Sequence, residues 1–315
     1  MTPRGLTAPA KSVPEERKAW LQENAGQSDR VFSGQVAEPG AYPFQVALLV
    51  SNSLDKSPES QLSAQFCGGS LIASNWVLTA AHCLVYDGER LKPEQITVLV
   101  GASNLGEGQR VKASQLIVHE NFDVTLNQFE DDIGLIKLSS KVNAKPISLA
   151  QKPEEYSGKA TVTGWGMLNG GFFPDSLMQV DVDLVSNSAC NAGFRKVYAQ
   201  DFNMILNYYS ARLRLSHEAI DDVTASIGDG ISDAVSTGMM CADVPDDSRS
   251  ACKGDSGGPV FQKKGRTITQ VGVVSWGEGP LDAEAPCGHA DAFDVYTRVS
   301  SYIDWIKGKT GLKLN

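Results

Sequence analysis

A chain of 315 residues with 42% hydrophobic side chains can bury one large core or two moderate ones. Its formal net charge is -9, which excludes the basic surface that a phosphate backbone selects, so nucleic acid is not an expected partner. No apolar run reaches the length of a membrane span.

Residues 1–30 are polar, hold three prolines and lack cysteine. Ser12-Val13-Pro14-Glu15 has the form of a capping box, which predicts a short helix with Ser12 as N-cap and Pro14 in the first turn. Trp20 and Leu21 are then the side chains available to dock on the body. No charged-then-apolar signal opens the chain, so an exported form would already have lost its signal.

From Pro43 onward the chain reads as short β-type runs between turn residues: 43–50, 66–72, 76–79, 95–101, 110–119 and 133–138. A second set follows at 159–165, 177–184, 258–262, 268–276 and 295–299. Short strands at close spacing, without long amphipathic helices between them, predict an antiparallel barrel or sandwich. Residues 51–65 form a polar stretch without periodicity, read as a surface loop. Tyr302-Ile303-Asp304-Trp305-Ile306 reads as a closing helix.

Three stretches carry chemistry. Gly254-Asp255-Ser256-Gly257-Gly258-Pro259 sets a serine between an acid and two glycines, a turn able to aim backbone N–H groups at one point beside a hydroxyl. A hydroxyl is a weak nucleophile alone and needs a base, itself oriented by a third group. Thr79-Ala80-Ala81-His82-Cys83 offers one of only four histidines, and Asp131-Asp132-Ile133-Gly134-Leu135 offers a carboxylate at the mouth of an apolar strand. His119, His217 and His289 have no such surroundings and read as structural or surface residues.

These motifs, in the order His, Asp, Ser, resemble the chymotrypsin/trypsin family of serine endopeptidases from about Val31 to the C-terminal helix. The resemblance selects an all-β fold of two six-stranded antiparallel barrels, with the active site between them and a C-terminal helix. It implies a propeptide over 1–30 and a peptidase domain over 31–315: first barrel about 31–145, second about 146–300, helix about 301–308. Fifty residues between Cys190 and Cys241 make the insertion at about 191–238 longer than the family norm. Within it, residues 207–215 read as helical, and the insertion as a whole is either an exosite or lid, or a decorated surface loop.

The family's roles fall on His82 as base, Asp132 as its orienting partner and Ser256 as nucleophile, with the Gly254 and Ser256 N–H groups as oxyanion hole. The implied disulfides are Cys67–Cys83, Cys190–Cys241 and Cys252–Cys287, and full pairing implies an oxidising compartment, hence secretion. Asp29-Arg30-Val31-Phe32-Ser33-Gly34 resembles the family's activation site, where a trypsin-like protease cuts after Arg30. The freed ammonium of Val31 then pairs with Asp255. Zymogens of the family often hold that aspartate with a histidine two residues before the first cysteine, where this chain has Gln65.

The implied pocket is lined by Ser250, Ala251, Lys253, Ser275, Trp276, Gly277 and Asp294. Trypsin-like members carry Asp at the pocket floor, six residues before the nucleophile; here that residue is Ser250. Asp294 instead replaces a wall glycine. The expectation is broad specificity with a preference for Arg or Lys before the scissile bond, against a chymotrypsin-like preference for Phe, Tyr or Leu. No cofactor is implied, and the short 102–108 loop, with one carboxylate, offers too few oxygens for the family's calcium. Expected partners are protein or peptide substrates, a trypsin-like activating protease and protein inhibitors. A catalytically silent relative serving as a binding module, and a narrow regulatory protease guided by the insertion, remain as alternatives.

Overall fold

The structure, a computed structural model, describes residues 9–23, 34–123, 129–152, 154, 156–168, 171–243, 250–282, 287 and 292–314. After helix α1 (Pro9–Glu23) the first half contains β1 (Gln35–Val36), β2 (Gln45–Val50), helix α2 (Ser60–Ala64), β3 (Gln65–Ala73) and β4 (Trp76–Thr79). It continues with the hairpin β5 (Val85–Tyr86) and β6 (Glu89–Arg90), then β7 (Ile96–Val100), β8 (Gln109–Val118) and β9 (Gly134–Leu138). The second half holds β10 (Ser148–Leu149), β11 (Gly158–Gly164), β12 (Met178–Val185), helices α3 (Asn187–Leu213) and α4 (His217–Gly230), and β13 (Met239–Asp243). It ends with β14 (Pro259–Lys264), β15 (Thr267–Glu278), β16 (Phe293–Arg298) and α5 (Ile303–Thr310).

The strands form the two closed six-stranded antiparallel barrels that the resemblance implies, one of the two outcomes, barrel or sandwich, that the short-strand pattern leaves open. The first closes in the order β2-β3-β4-β9-β8-β7. In the second, β12-β11-β14-β15-β16-β13 is closed by the pairing of β12 with β13. Closure leaves no long sheet edge to aggregate. β13 was not expected from the sequence: its run Met-Met-Cys-Ala-Asp is short and lacks β-branched residues. Its place between β12 and β16 completes the second barrel.

Buried Val46, Leu48, Leu71, Leu78, Val98, Leu99, Leu135 and Ile136 cover both faces of the first barrel's strands, and Val162, Leu184, Met240, Val260, Val274 and Tyr296 form the core of the second. Side-chain hydrogen bonds tie the two together, from Thr163 to Gln45 Oε1 at 2.7 Å and from Ser70 to Gln270 Oε1 at 2.6 Å.

Three local expectations need correction. α1 begins at Pro9, so Ser12 lies within the helix and Pro14 in its interior. The polar stretch after β2 is not all loop, because residues 60–64 form α2 and Gln65 already belongs to β3. The helix expected near 207–215 is the tail of α3, which starts twenty residues earlier at a Ser186 cap whose hydroxyl accepts from Ala189 N at 3.1 Å. A second serine cap, Ser216, opens α4, which folds back against α3, while α3 packs on β13 and β16 of the second barrel.

Candidate active site

Strand register brings the base and its carboxylate together across fifty residues. β4 pairs with β9 so that Thr79 faces Gly134, which places the turn carrying His82 beside the residues that precede β9. Both side chains are buried, Asp132 with no exposure at all. Asp132 Oδ1 accepts the His82 backbone N–H at 2.9 Å, and Oδ2 lies 2.7 Å from the ring Nδ1. With Nδ1–H donated to the carboxylate, Nε2 is left as the basic nitrogen.

Ser275 donates its hydroxyl to Asp132 Oδ2, and Thr297 donates to the Asp132 carbonyl at 2.7 Å. The His82 and Ser275 bonds thus fix the carboxylate, and the Thr297 bond holds the main chain that carries it. The neighbouring Asp131 takes a positive φ of 54° and turns toward His119, 3.8 Å away. Cys67 and Cys83 flank the histidine but are joined to each other, so they offer no thiolate to a metal.

The serine lies on a turn from the second barrel. Gly257, at φ +78°, sits where a Cβ would overlap Thr79 Oγ1, so the two barrels approach each other there more closely than any side chain allows. The Ser256 carbonyl accepts from Gly68 N of the first barrel at 2.8 Å. Among the described residues no hydrogen bond joins Ser256 to His82, whose Nε2 lies 3.8 Å from Cys83 Sγ. The His–Asp half of the constellation is assembled and the serine stands beside it.

Behind the serine, the Asp255 carboxylate fits between Gly164 and Gly166, at either of which a Cβ would overlap it. It accepts from Gly166 N at 2.7 Å and from Cys252 N at 3.1 Å. Desolvation raises its pKa to about 6 against the pull of those N–H groups. Arg30 and Val31, the expected activation residues, lie outside the described residues.

Three of the expected pocket residues converge. Asp294, 5% exposed, accepts from Ala251 N at 3.0 Å and from the Tyr296 hydroxyl at 3.2 Å, and its Oδ1 lies 3.1 Å from where a Gly277 Cβ would stand. Desolvation raises its pKa to about 7, and the charge of Asp255 adds to the rise. Ser250 hydrogen-bonds the adjacent Ala251 carbonyl at 3.0 Å.

Two expected pocket side chains are turned elsewhere. The Ser275 hydroxyl faces Asp132, and Lys253 pairs with Glu16 of α1 at 2.9 and 3.0 Å. Trp276 stacks between Phe129, at 6.3 Å, and Phe194 of α3, at 5.3 Å, while Phe129 meets the His82 ring edge-on at 5.8 Å. Phe129 and Phe194 carried no sequence signal, since an aromatic in a loop or inside a weakly patterned helix does not announce its contact.

Two closed β-barrels that bring a buried His–Asp pair beside a serine in a glycine-rich turn define a serine hydrolase architecture. Residues 31–306 match the Trypsin family. The chain is 31% identical to Trypsin-1 of Astacus astacus, covering 88% of this chain and 98% of that one. It is 34% identical to Trypsin Blo t 3 of Blomia tropicalis (89% and 85%) and 32% identical to human Kallikrein-7 (90% of each). The chain belongs to the trypsin family of serine endopeptidases. All six of its cysteines are paired, Cys67–Cys83, Cys190–Cys241 and Cys252–Cys287, and among the described residues no helix is long and apolar enough to cross a membrane.

Proposed function

We propose that this endopeptidase is exported as a zymogen over residues 1–30, cut after Arg30 by a trypsin-like protease. Ser256 Oγ attacks the scissile carbonyl, His82 Nε2 takes its proton and returns it to the leaving amine, and Asp132 holds the imidazole and stabilises its charged form, as in the family's established mechanism. Water then attacks the acyl-enzyme by the same proton relay. The Gly254 and Ser256 N–H groups bind the oxyanion, each donor contributing about 3 kcal/mol at the transition state. The disulfides favour an oxidising compartment and hence secretion.

For specificity the carrying observation is Asp294, a carboxylate between Ala251 N and the Gly277 backbone where the pocket wall is expected. Its charge selects Arg or Lys before the scissile bond. Its pKa near 7 supports a second reading, because a neutral Asp294 leaves a pocket suited to Phe or Leu. Profiling of the chain cut after Arg30 with Arg, Lys, Phe and Leu reporter peptides separates the two. Cleavage after Arg and Lys is expected to lead; efficient cleavage after Phe with none after Arg or Lys rejects the basic preference.

A further inference from the structure

Helix α1 places a charge where an amphipathic helix normally carries an apolar residue. Ala10, Val13, Arg17 and Trp20 fall on one face at i, i+3, i+7 and i+10. Arg17 is 1% exposed and Val13 3%. Burying a guanidinium is unfavourable unless partners replace its water. Desolvation lowers the Arg17 pKa to about 9, opposed by the charges of Asp255 and Asp175.

The partners form a cradle on the peptidase body. Nη2 donates to Gln65 Oε1 and to the Trp165 carbonyl, each at 2.6 Å; Nη1 donates to the Pro174 carbonyl at 3.2 Å; the guanidinium lies 4.6 Å from the Phe173 ring centre. Trp20 meets Phe172 edge-on at 4.8 Å, and Glu16 pairs with Lys253.

Two of these contacts reach the oxyanion loop. Trp165 lies between Gly164 and Gly166, the residues that enclose the Asp255 carboxylate. Gln65 accepts from Arg17 and donates its own amide to the Gly254 carbonyl at 2.8 Å. Gly254 has φ +98°, and Val13 Cγ1 stands 3.5 Å from the position of a Cβ there. The leader therefore touches the loop through a cation, an amide relay and a methyl group.

We infer that the body carries an arginine-binding cradle formed by Gln65, Phe173 and the Trp165 and Pro174 carbonyls, and that α1 fills it as a built-in ligand holding the oxyanion loop. Resting on the zymogen reading above, this gives the leader an active part: Arg17 supplies positive charge near Asp255 until the Val31 ammonium exists. Gln65 replaces the family's expected histidine because its two-ended amide links the arginine to Gly254. Full activation then requires cutting after Arg30 and withdrawal of Arg17.

Hydrogen exchange of the uncut chain, in native, Arg17→Ala, Arg17→Lys and Gln65→Leu forms, tests the cradle without reference to activity. Loss of charged hydrogen bonds of this kind is expected to speed exchange in α1 by at least about tenfold in Arg17→Ala. Segment 252–256 is expected to follow it, while β2–β4 and β14–β15 keep their protection and so report intact folding. Arg17→Lys, which retains charge without the fork, falls between. Gln65→Leu loosens 252–256 while α1 keeps most of its protection.

Acceleration confined to α1, or no acceleration in either segment, overturns the inference. Misfolding of Arg17→Ala leaves Arg17→Lys and Gln65→Leu to decide on the same readout. The zymogen reading is judged separately: a chain cut after Arg30 that hydrolyses no peptide defeats that reading, whatever the exchange data show about the cradle.

Discussion

The two barrels are built alike and charged differently. In the first, β2, β3, β4 and β7 bury nearly every residue, and its fully buried carboxylate, Asp132, meets three polar groups, the His82 N–H, the His82 ring Nδ1 and the Ser275 hydroxyl. In the second, Asp255 and Asp294 sit where desolvation raises their pKa values to about 6 and about 7. The first barrel is a template that fixes one hydrogen-bonded pair through strand register. The second carries two desolvated carboxylates, Asp255 with the charge of Arg17 nearby; under the proposed function their positive partners in the working enzyme are the Val31 ammonium and the substrate's cation. On that proposal the first barrel positions the base, and the second holds the carboxylates that respond to processing and binding.

The largest test of this division removes each half of the chemistry. Ser256→Ala and Asp132→Asn are each expected to lower kcat of the cut enzyme by about 10⁴-fold or more, and the double variant by little beyond the worse single one, because the groups act as a unit. Additive losses in burst-phase and steady-state assays would separate the two barrels' contributions and break the shared mechanism.

A smaller effect distinguishes the barrels by what close packing protects. Gly164→Ala forces a Cβ onto the Asp255 carboxylate and displaces the turn bearing the oxyanion donors, so kcat/KM is expected to fall by about 10²-fold with a modest change in Tm. Gly69→Ala in β3 sets a Cβ 2.8 Å from Val77 Cγ1, which is overpacking inside the first barrel. It is expected to cost about 1–3 kcal/mol of stability and leave kcat nearly unchanged at temperatures where the protein is folded. Thermal melts beside peptide turnover check both, and a Gly69→Ala enzyme with crippled kcat would show that packing inside the first barrel reaches the His82–Asp132 pair.

How much of this was legible follows the same physics. Strands such as 45–50 and 96–100 are short apolar runs between turn residues, and burial by a closed barrel is the simplest fate for such a run. β13 escaped because Met239-Met240-Cys241 has no strand signature of its own and gains its place from two neighbours distant in sequence. α3 showed only its tail, although Ser186 was available as a start signal.

Arg17 was illegible for a different reason. An arginine reads as solvated until its partners are known, and Gln65, Trp165 and Pro174 are 48, 148 and 157 residues away. The Gln65 anomaly was visible in the sequence, but its meaning needed the leader's position. Asp294 was visible as a misplaced charge; its bonds to Ala251 N and the Tyr296 hydroxyl were not.

The smallest predicted effect sharpens the contrast through pH. Asp294 faces the Ala251 N–H and the Tyr296 hydroxyl, which favour its anion, and the charge of Asp255, which opposes it; desolvation dominates and sets the pKa near 7. A carboxyl with a raised pKa is neutral below that value, so attraction for a Lys or Arg side chain is present above about pH 7 and lost as pH falls through it. Ionisations that affect every substrate alike cancel in the ratio of kcat/KM for an Arg peptide to that for a Phe peptide. The ratio is expected to rise about tenfold from pH 5.5 to 8 and then level, with the slope abolished in Asp294→Ser. Neutralisation of Asp255 by the Val31 ammonium removes a repelling charge, so the midpoint in the cut enzyme should lie at or below 7. A ratio flat across this range in the native enzyme would mean that the second barrel's pocket carboxylate does not meet the substrate's cation, and the asymmetry between the barrels would then reduce to Asp255 alone.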